Sequence, residues 1–579
     1  MNVEGTVSGR SWRLRPADPA RAIAIAQRHG LPEILGRVLA ARGLEPAAVP
    51  SFLEPRLRDV LPDPSHLADL DRVAARLADA VEARERIGLV GDYDVDGATS
   101  TALAASWLRG FGIEPEIAIP DRLSEGYGAS AAILDRLARA GCRLVMTLDN
   151  GTSAFAALAA AAARGQEVIV VDHHAAEARL PPAFGIVNPN RPDQESPLAH
   201  LAAVGVTFVV LAAAERELRR RAVVAPRSDL LAQLDLVALG TICDVVPLDG
   251  VNRAFVRQGL KVAARNARPG LAALAVAAGL EAVEQTWHLG FLLGPRLNAG
   301  GRLGEPLLAT RLLLAEHPEE ARLLAERLDR LNSQRQDIER RLLAAAEAAV
   351  QPQLDADEPI LLAAGQGWHP GVLGIVASRL VDRYARPAFV LSLVDGVAKG
   401  SGRSVAGLDL GALVIAAKET GLLREGGGHP MAAGLTAEIG RLEAFKAFAR
   451  ERAQPVLGEA EVTPLELDGA LAVAGVTTEL AASLDRLSPF GPGNEEPRFC
   501  LTDARIVETR EVGRGHVSCV IAGTAAGRIR GIAFRARDKA LGGALARRGE
   551  PVRLAGRIKL ERYRGEERVG FEIEDAAAA

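Results

Sequence analysis

Residues 90–97 read VGDYDVDG, with carboxylates at Asp92, Asp94 and Asp96. In a strand all three would point to one face and repel one another, so the stretch makes little sense without a counter-charge. Its spacing matches the opening of an EF-hand loop, which needs a bidentate Glu at the twelfth position. The twelfth residue from Asp92 is Leu103, and the EF-hand reading fails. The flanks are more informative. Ile87-Gly88-Leu89-Val90 is a short apolar run, and ATSTALAASWLRGFG after the acids is helix-like. Strand, acidic loop, helix is the order in which α/β sheets build ligand sites.

Two more apolar runs end in the same chemistry. RLVMTLDNG places Asp149 after one, and EVIVVDHH places Asp172, His173 and His174 after another. Asp244, in GTICDVVPL after the apolar LDLVALG, reads as a fourth strand end. In a parallel sheet such ends share one edge, so residues distant in sequence converge. Carboxylates clustered there would have strongly raised pKa values unless cations neutralise them. Asp oxygens with one or two His nitrogens, and no Cys, suit Mn²⁺ or Mg²⁺. The ligands suffice for two ions, a pairing that hydrolyses phosphate esters and anhydrides.

The chain has 579 residues, too many for one core, and its 48% hydrophobic content excludes a disordered protein. A net charge of −4 confines any nucleic-acid site to a local patch. Four cysteines without CxxC spacing argue against zinc ribbons and disulfides. No apolar leader or membrane-length window is present, so the expected setting is a reducing cytoplasm. The expected architecture is α/β in five segments. Residues 1–65 are helical in pattern, and 66–315 alternate β-rich runs with helices as a parallel sheet requires. Residues 316–355 form a long connecting helix opening at Pro318, with Glu319 and Glu320 in its first turn, and its charges read as a solvated face. A second α/β domain spans 356–458, and short strands in 459–579 suggest a small barrel.

GDYDVDG, TLDNG, VDHH and GTICDVVPL, in this order, resemble the four motifs of the DHH phosphoesterase superfamily. GWHPGVLGIVASRL, GSGRS and GGHPMAAG look like its associated substrate-binding domain. Over its whole length, including GPRLNAGGRLG and LSPFGPGNEEPRF, the chain is similar to the RecJ family of single-strand-specific 5′→3′ DNA exonucleases. Pro430 and Gly300 depart from that family's usual residues, and neither removes a functional group. The resemblance implies that Asp94 and Asp149 hold one metal ion, and that Asp96, Asp149, His173 and Asp244 hold the other, with Asp149 as the bridge. It places Asp92 at the edge, leaves His174 to contact the scissile phosphate, and gives Asp172 either an orienting or a purely structural part. An OB-like barrel, single-stranded DNA as substrate, a single-strand-binding protein and a RecQ-type helicase as partners, and a monomeric state follow from the same resemblance.

GGGHPMAAG and GSGRS carry glycines that let backbone N–H groups approach a phosphate. Ser401, Arg403, Gly428 and His429 are the candidate phosphate contacts there. Neither stretch is a Walker A loop, so ATP use is not indicated. Arg122 in DRLSEGYG resembles a further contact, and Arg296, Asn298 and Arg302 look like part of the same cleft, Arg302 on its catalytic side. His369 in GWHPG is open to a functional and a packing reading. Residues 501–579 hold 16 Lys/Arg and 11 Asp/Glu, a net of +5. Phe534, Tyr563 and Phe571 are interleaved there, either as stacking surfaces for bases or as barrel core. Two other functions compete with the exonuclease. A DHH phosphodiesterase for short oligonucleotides or cyclic dinucleotides would need no basic barrel. A non-catalytic DNA-binding scaffold would have no use for a full set of repelling ligands.

Overall fold

Five short runs in the first half form a parallel sheet: Ile87–Val90, Glu116–Ala118, Leu144–Leu148, Glu167–Val171 and Gly185–Val187. Ile87–Val90 and Leu144–Leu148 have every residue buried, the signature of strands covered by helices on both faces. In the computed structural model the sheet order is 2-1-3-4-5 in chain sequence, all parallel. This doubly wound order reverses direction beside the first strand, and ligands bind in the crevice that opens there. The structure describes every residue except 1, 123–124, 224–228, 458–462, 514, 526 and 564–565.

The chain forms two compact units. The larger, residues 63–246 and 258–460, holds the parallel sheet and the second α/β sheet. Pro318–Asp355 connects them within that unit as one 38-residue helix, about 57 Å long at 1.5 Å per residue. It starts with Pro in its first turn and with Glu319 and Glu320 near its positive end, as the sequence predicts. The second sheet runs Glu425–His429, Ala432–Glu438, Val397–Arg403, Ala388–Val394, Leu361–Gln366, antiparallel except for the last pair.

The smaller unit joins residues 1–62, 247–257 and 461–579. Its six-stranded sheet closes into a barrel where Phe499–Val512 pairs with Pro551–Tyr563. Phe571 is 1% exposed inside that barrel, so it is core and not a stacking surface; Phe534 is 53% exposed. The side chain of Tyr563 lies outside the described residues. The first segment departs from the expected all-helical pattern. Asn2–Val3 and Trp12–Leu14 are strands, and Trp12–Leu14 pairs in parallel with Leu465–Leu467. Runs of two and three residues carry no periodicity, and their partner lies at the far end of the chain. Among the described residues no helix is long and apolar enough to cross a membrane.

Candidate metal centre and phosphate site

Three of the acids come from one tight turn. Asp94 caps the helix Val95–Gly110, its carboxylate accepting the Gly97 N–H at 3.0 Å. Gly97 lies so close to the preceding loop that a Cβ would stand 2.5 Å from the Asp92 nitrogen, so only glycine lets the chain fold back here. Asp96, in the first helical turn, is 2% exposed. Its oxygens accept the N–H groups of Ala203 (2.6 Å) and Val204 (2.9 Å). These open the helix Ala203–Arg220, whose positive end offsets part of the buried charge.

Asp149 follows the third strand in a left-handed conformation (φ 65°), which Asp tolerates better than most residues. Its carbonyl accepts the Tyr127 hydroxyl at 2.9 Å. Asn150 fixes the crevice by donating to the Val90 and Leu148 carbonyls and accepting the Ala129 N–H. Asp172, after the fourth strand, accepts N–H groups from Thr152, His173 and His174, and the His174 ring nitrogen Nδ1 at 2.8 Å. Burial would raise this carboxyl, but the hydrogen bonds from His174 and Thr152 hold it well below the usual range. Asp172 is therefore an anion that orients both histidines from behind. Asn188 and Asn190 donate to the carbonyls of His174 and His173 and complete that support.

Asp244 reaches the cluster from an unexpected element. It caps the C-terminus of the helix Leu234–Cys243 and is not a strand end. Leu234–Thr241 is buried throughout, so the run has no exposed face and no period by which a buried helix differs from a buried strand. His173 lies among the acids: Nε2 is 3.4 Å from Asp149 and 3.9 Å from Asp96, and Nδ1 is 3.6 Å from Asp244. Burial, and then His174, lower its pKa to about 4, so it is neutral and has a lone pair to offer at neutral pH.

The ligand atoms of Asp92, Asp94 and Asp149 lie within 4.8 Å of one another, as do those of Asp96, His173 and Asp244, and of Asp149, His173 and His174. Burial and the Asp94 charge push Asp92 up to about 8 and Asp244 up to about 7. Asp96 and Asp149 rise well above the carboxylate range for the same reasons. Asp92 Oδ1, Asp149 Oδ1 and Asp244 Oδ2 are buried with no hydrogen-bond partner. Buried polar atoms are nearly always satisfied. Three orphaned carboxyl oxygens around one space, on groups whose charge needs a cation to be stable, with a neutral imidazole among them, fit hard divalent cations.

Beside the acids stands a group of arginines. The Arg122 guanidinium lies over the Tyr93 ring at 5.3 Å. Arg302 donates to the Gly371 carbonyl, and burial, with Arg122 and Arg335 beside it, lowers its pKa to about 10. Burial and Arg122 also lower Arg403. Arg335 is 9% exposed, bonded to Asn332 and Glu339. It belongs to the long helix, so that helix is not charged only toward solvent. Repelling guanidiniums at half-buried positions form a natural seat for an anion.

Ser401 and Arg403 are two residues apart in one strand and so share a face. His429 pairs with Ala432, which pairs with Arg403, so the two side chains share one rung at the end of the sheet, one strand apart and on one face. Gly428 has φ 156° and packs where a Cβ would lie 2.3 Å from the Ala432 oxygen. Asn298 is half-buried on the helix Gly294–Arg302, in phase with Arg302. Arg296 points elsewhere, to Asp329 (2.8 Å) and the Leu292 carbonyl. It pins two helices together and does not contact the phosphate site. His369 Nδ1 accepts the Gly371 N–H, which makes it a turn cap. Tyr93, Tyr127, Asn150 and Arg335 were not singled out from sequence. Tyr93 and Tyr127 lie inside quoted motifs, whereas Arg335 is one cation in a charged helix and carries no signal of its own.

Known proteins share these features. Family models match residues 86–241 (DHH family, N-terminal domain), 357–454 (DHHA1 domain) and 467–575 (RecJ OB domain). The chain is 37% identical over 565 residues to the single-stranded-DNA-specific exonuclease RecJ of Dickeya dadantii, covering 94% of this chain and 96% of that one. It is 36% identical to the RecJ of Escherichia coli, covering 92% and 94%. The crystal structure of RecJ with Mn²⁺ from Thermus thermophilus superimposes with a TM-score of 0.81 at 30% identity, over 98% of this chain and 79% of that one. With the buried acids, the histidine pair and three family domains in one chain, the protein belongs to the RecJ family of single-stranded-DNA-specific exonucleases.

Proposed function

We infer that the chain is a 5′→3′ exonuclease that hydrolyses phosphodiester bonds of single-stranded DNA, with two divalent ions, Mn²⁺ or Mg²⁺, at the acidic cluster. The observation that carries this reading is the set of three orphaned carboxylate oxygens beside the arginine group. Asp94 and Asp149, with Asp92 at the edge, would hold one ion; Asp96, Asp149, His173 and Asp244 would hold the other. When bound, such ions neutralise the carboxylates and supply Lewis-acid stabilisation and a water of lowered pKa.

The rest of the work falls to this chain's own groups. His174, held by Asp172 and within 3.4 Å of the Tyr127 hydroxyl, presents an N–H to a non-bridging oxygen of the scissile phosphate. Burial lowers its pKa, but the Asp172 hydrogen bond and charge outweigh this and raise it, so the imidazolium is available near neutral pH. Arg122 and Asn298 contact the strand, and Arg302 draws its charge toward the acids. A terminal 5′ phosphate carries more charge than an internal one. Arg403, whose fork can span two phosphate oxygens, would select it together with Ser401, His429 and the Gly428 backbone.

This enzyme acts in DNA repair and recombination, as a cytoplasmic monomer beside a single-strand-binding protein and a RecQ-type helicase. The test compares single strands carrying a 5′ phosphate or a 5′ hydroxyl, with Mn²⁺ or with chelator, on wild type and Arg403→Ala. Mononucleotides should leave the 5′ end only with metal, and the variant should lose most of the preference for 5′ phosphate. Release from the 3′ end, or cleavage of cyclic dinucleotides alone, overturns the reading. A variant with the full preference removes Arg403 from the pocket.

A further inference from the structure

Large apolar side chains of the catalytic unit are mostly buried, yet Phe291 is 78% exposed and Trp287, four residues earlier, 47%. That interval is about one helical turn, so both rings stand on one face. They flank or lie within His288–Leu293, a π-helical turn, a rare form that recurs at functional sites. The inner side of this turn is fixed. Leu289 and Leu293 are fully buried, and the Leu289 carbonyl lies 3.7 Å from the Cys243 thiol. Cys243 ends the helix that Asp244 caps, so the turn lies at the Asp244 side of the acidic cluster.

Asn298 and Arg302 follow Gly294 at intervals of four along one stripe of the next helix, and the π turn that carries Phe291 leads directly into it. Gly294 packs against Cys243, and Gly301 against the Tyr93 carbonyl. The stripe therefore passes the acids from the Asp244 side to the Tyr93–Asp94 side. From Gly294 to Arg302 it spans about 12 Å at 1.5 Å per residue. An uncovered aromatic ring stands in the turn before one end, and the other end carries an arginine among arginines.

We propose that Phe291, flanked by Trp287, is the surface on which a nucleobase stacks on the 3′ side of the bond being cut. The direction rests on the reading above, in which Arg302 and Arg403 hold the 5′ end. A base stacked there keeps the strand in register, so that the next phosphodiester settles at the metals once a nucleotide has left. A ring face accepts any of the four bases, consistent with a site indifferent to sequence. It also favours unpaired bases, because a duplex presents base edges in its grooves and keeps the faces stacked inside.

The test uses 5′-phosphorylated single strands with one abasic residue moved stepwise from the 5′ end. Wild type should show KM raised about tenfold when one particular position is abasic, with kcat nearly unchanged. Phe291→Ala should show the raised KM on every strand, with no added loss at that position, and Phe291→Trp should restore the wild-type pattern. Neither ring is core, so the variants fold; circular dichroism checks this. Oligothymidylate should also quench the emission that separates wild type from Trp287→Phe, with metal removed by chelator. A wild-type KM and position profile in Phe291→Ala, or no quenching of Trp287, overturns the stacking site while leaving the exonuclease intact. Failure of wild type to release 5′ nucleotides would instead remove the reading on which it rests.

Discussion

At the scale of single residues, Asp149 combines a strained backbone with a place in two of the three ligand groups of the cluster. Its φ of 65° makes alanine a poor probe, because alanine lacks the local hydrogen bonding that lets Asp and Asn sit in the left-handed region. Asp149→Asn keeps that tolerance and removes the charge. It should lower the rate by more than about 10³, the scale of losing a principal electrostatic stabiliser. The metal-free protein should at the same time melt higher, since one of several repelling buried charges is gone. Near wild-type cleavage with added Mn²⁺ would sink the bridging role. Asp92, Asp94, Asp96, Asp149 and the histidines were legible in sequence because each directly follows an apolar strand. Arg296 was misread because its neighbours in GPRLNAGGRLG face the site, whereas its own side chain, on the opposite side of the helix, is spent on Asp329.

At the scale of elements, strand ends and two helix termini crowd carboxylates onto one edge, and this sets a pH dependence. The carboxyls of Asp92 and Asp244 titrate in the folded state at about 8 and about 7, against roughly 4 when unfolded. A group whose folded pKa is raised binds its proton more tightly in the native state. Its stabilising effect is present below the unfolded pKa and is lost as pH climbs through the folded value. The metal-free enzyme should therefore melt lower at pH 8.5 than at pH 6, by about 5 °C or more. Mn²⁺ should raise the melting temperature most at the higher pH, because its ligands must be deprotonated. An equal increment at both pH values would show that these acids do not bind it. Strand-end elements were readable from apolar runs followed by acids. The Leu234–Cys243 helix was not, since burial on all sides erased the amphipathic period that distinguishes helix from strand.

At the scale of the whole molecule, the smaller unit is built from both ends of the chain. Asp575, 3% exposed, accepts the Trp12 indole N–H at 2.9 Å and the Ser8 N–H and hydroxyl. Asp575→Ala orphans the buried Trp12 donor, loses the two Ser8 bonds and should cost about 3 kcal/mol, read as faster hydrogen exchange in Trp12–Leu14 and the last strand. Unchanged exchange would mean that strand pairing alone holds the ends. The same joining makes truncation a poor test of DNA binding by the barrel. Ile25, Leu35 and Leu39 share one core with Leu501, Ile521 and Phe571, so removing 465–579 would expose the N-terminal helices as well. Reversing the exposed Arg528 and Arg530 is the cleaner route to a shallower salt dependence. The barrel was legible from its turns and its charge, but the Trp12–Leu465 pairing was not, because no local pattern encodes a contact across nearly the whole chain. That pairing has a consequence for biosynthesis. At roughly 5–20 residues per second, the first helices leave the ribosome about half a minute or more before their partners exist. Their apolar faces must wait uncovered while the catalytic unit is translated, and a chaperone that shields nascent chains would set the yield of this enzyme more than its final stability does.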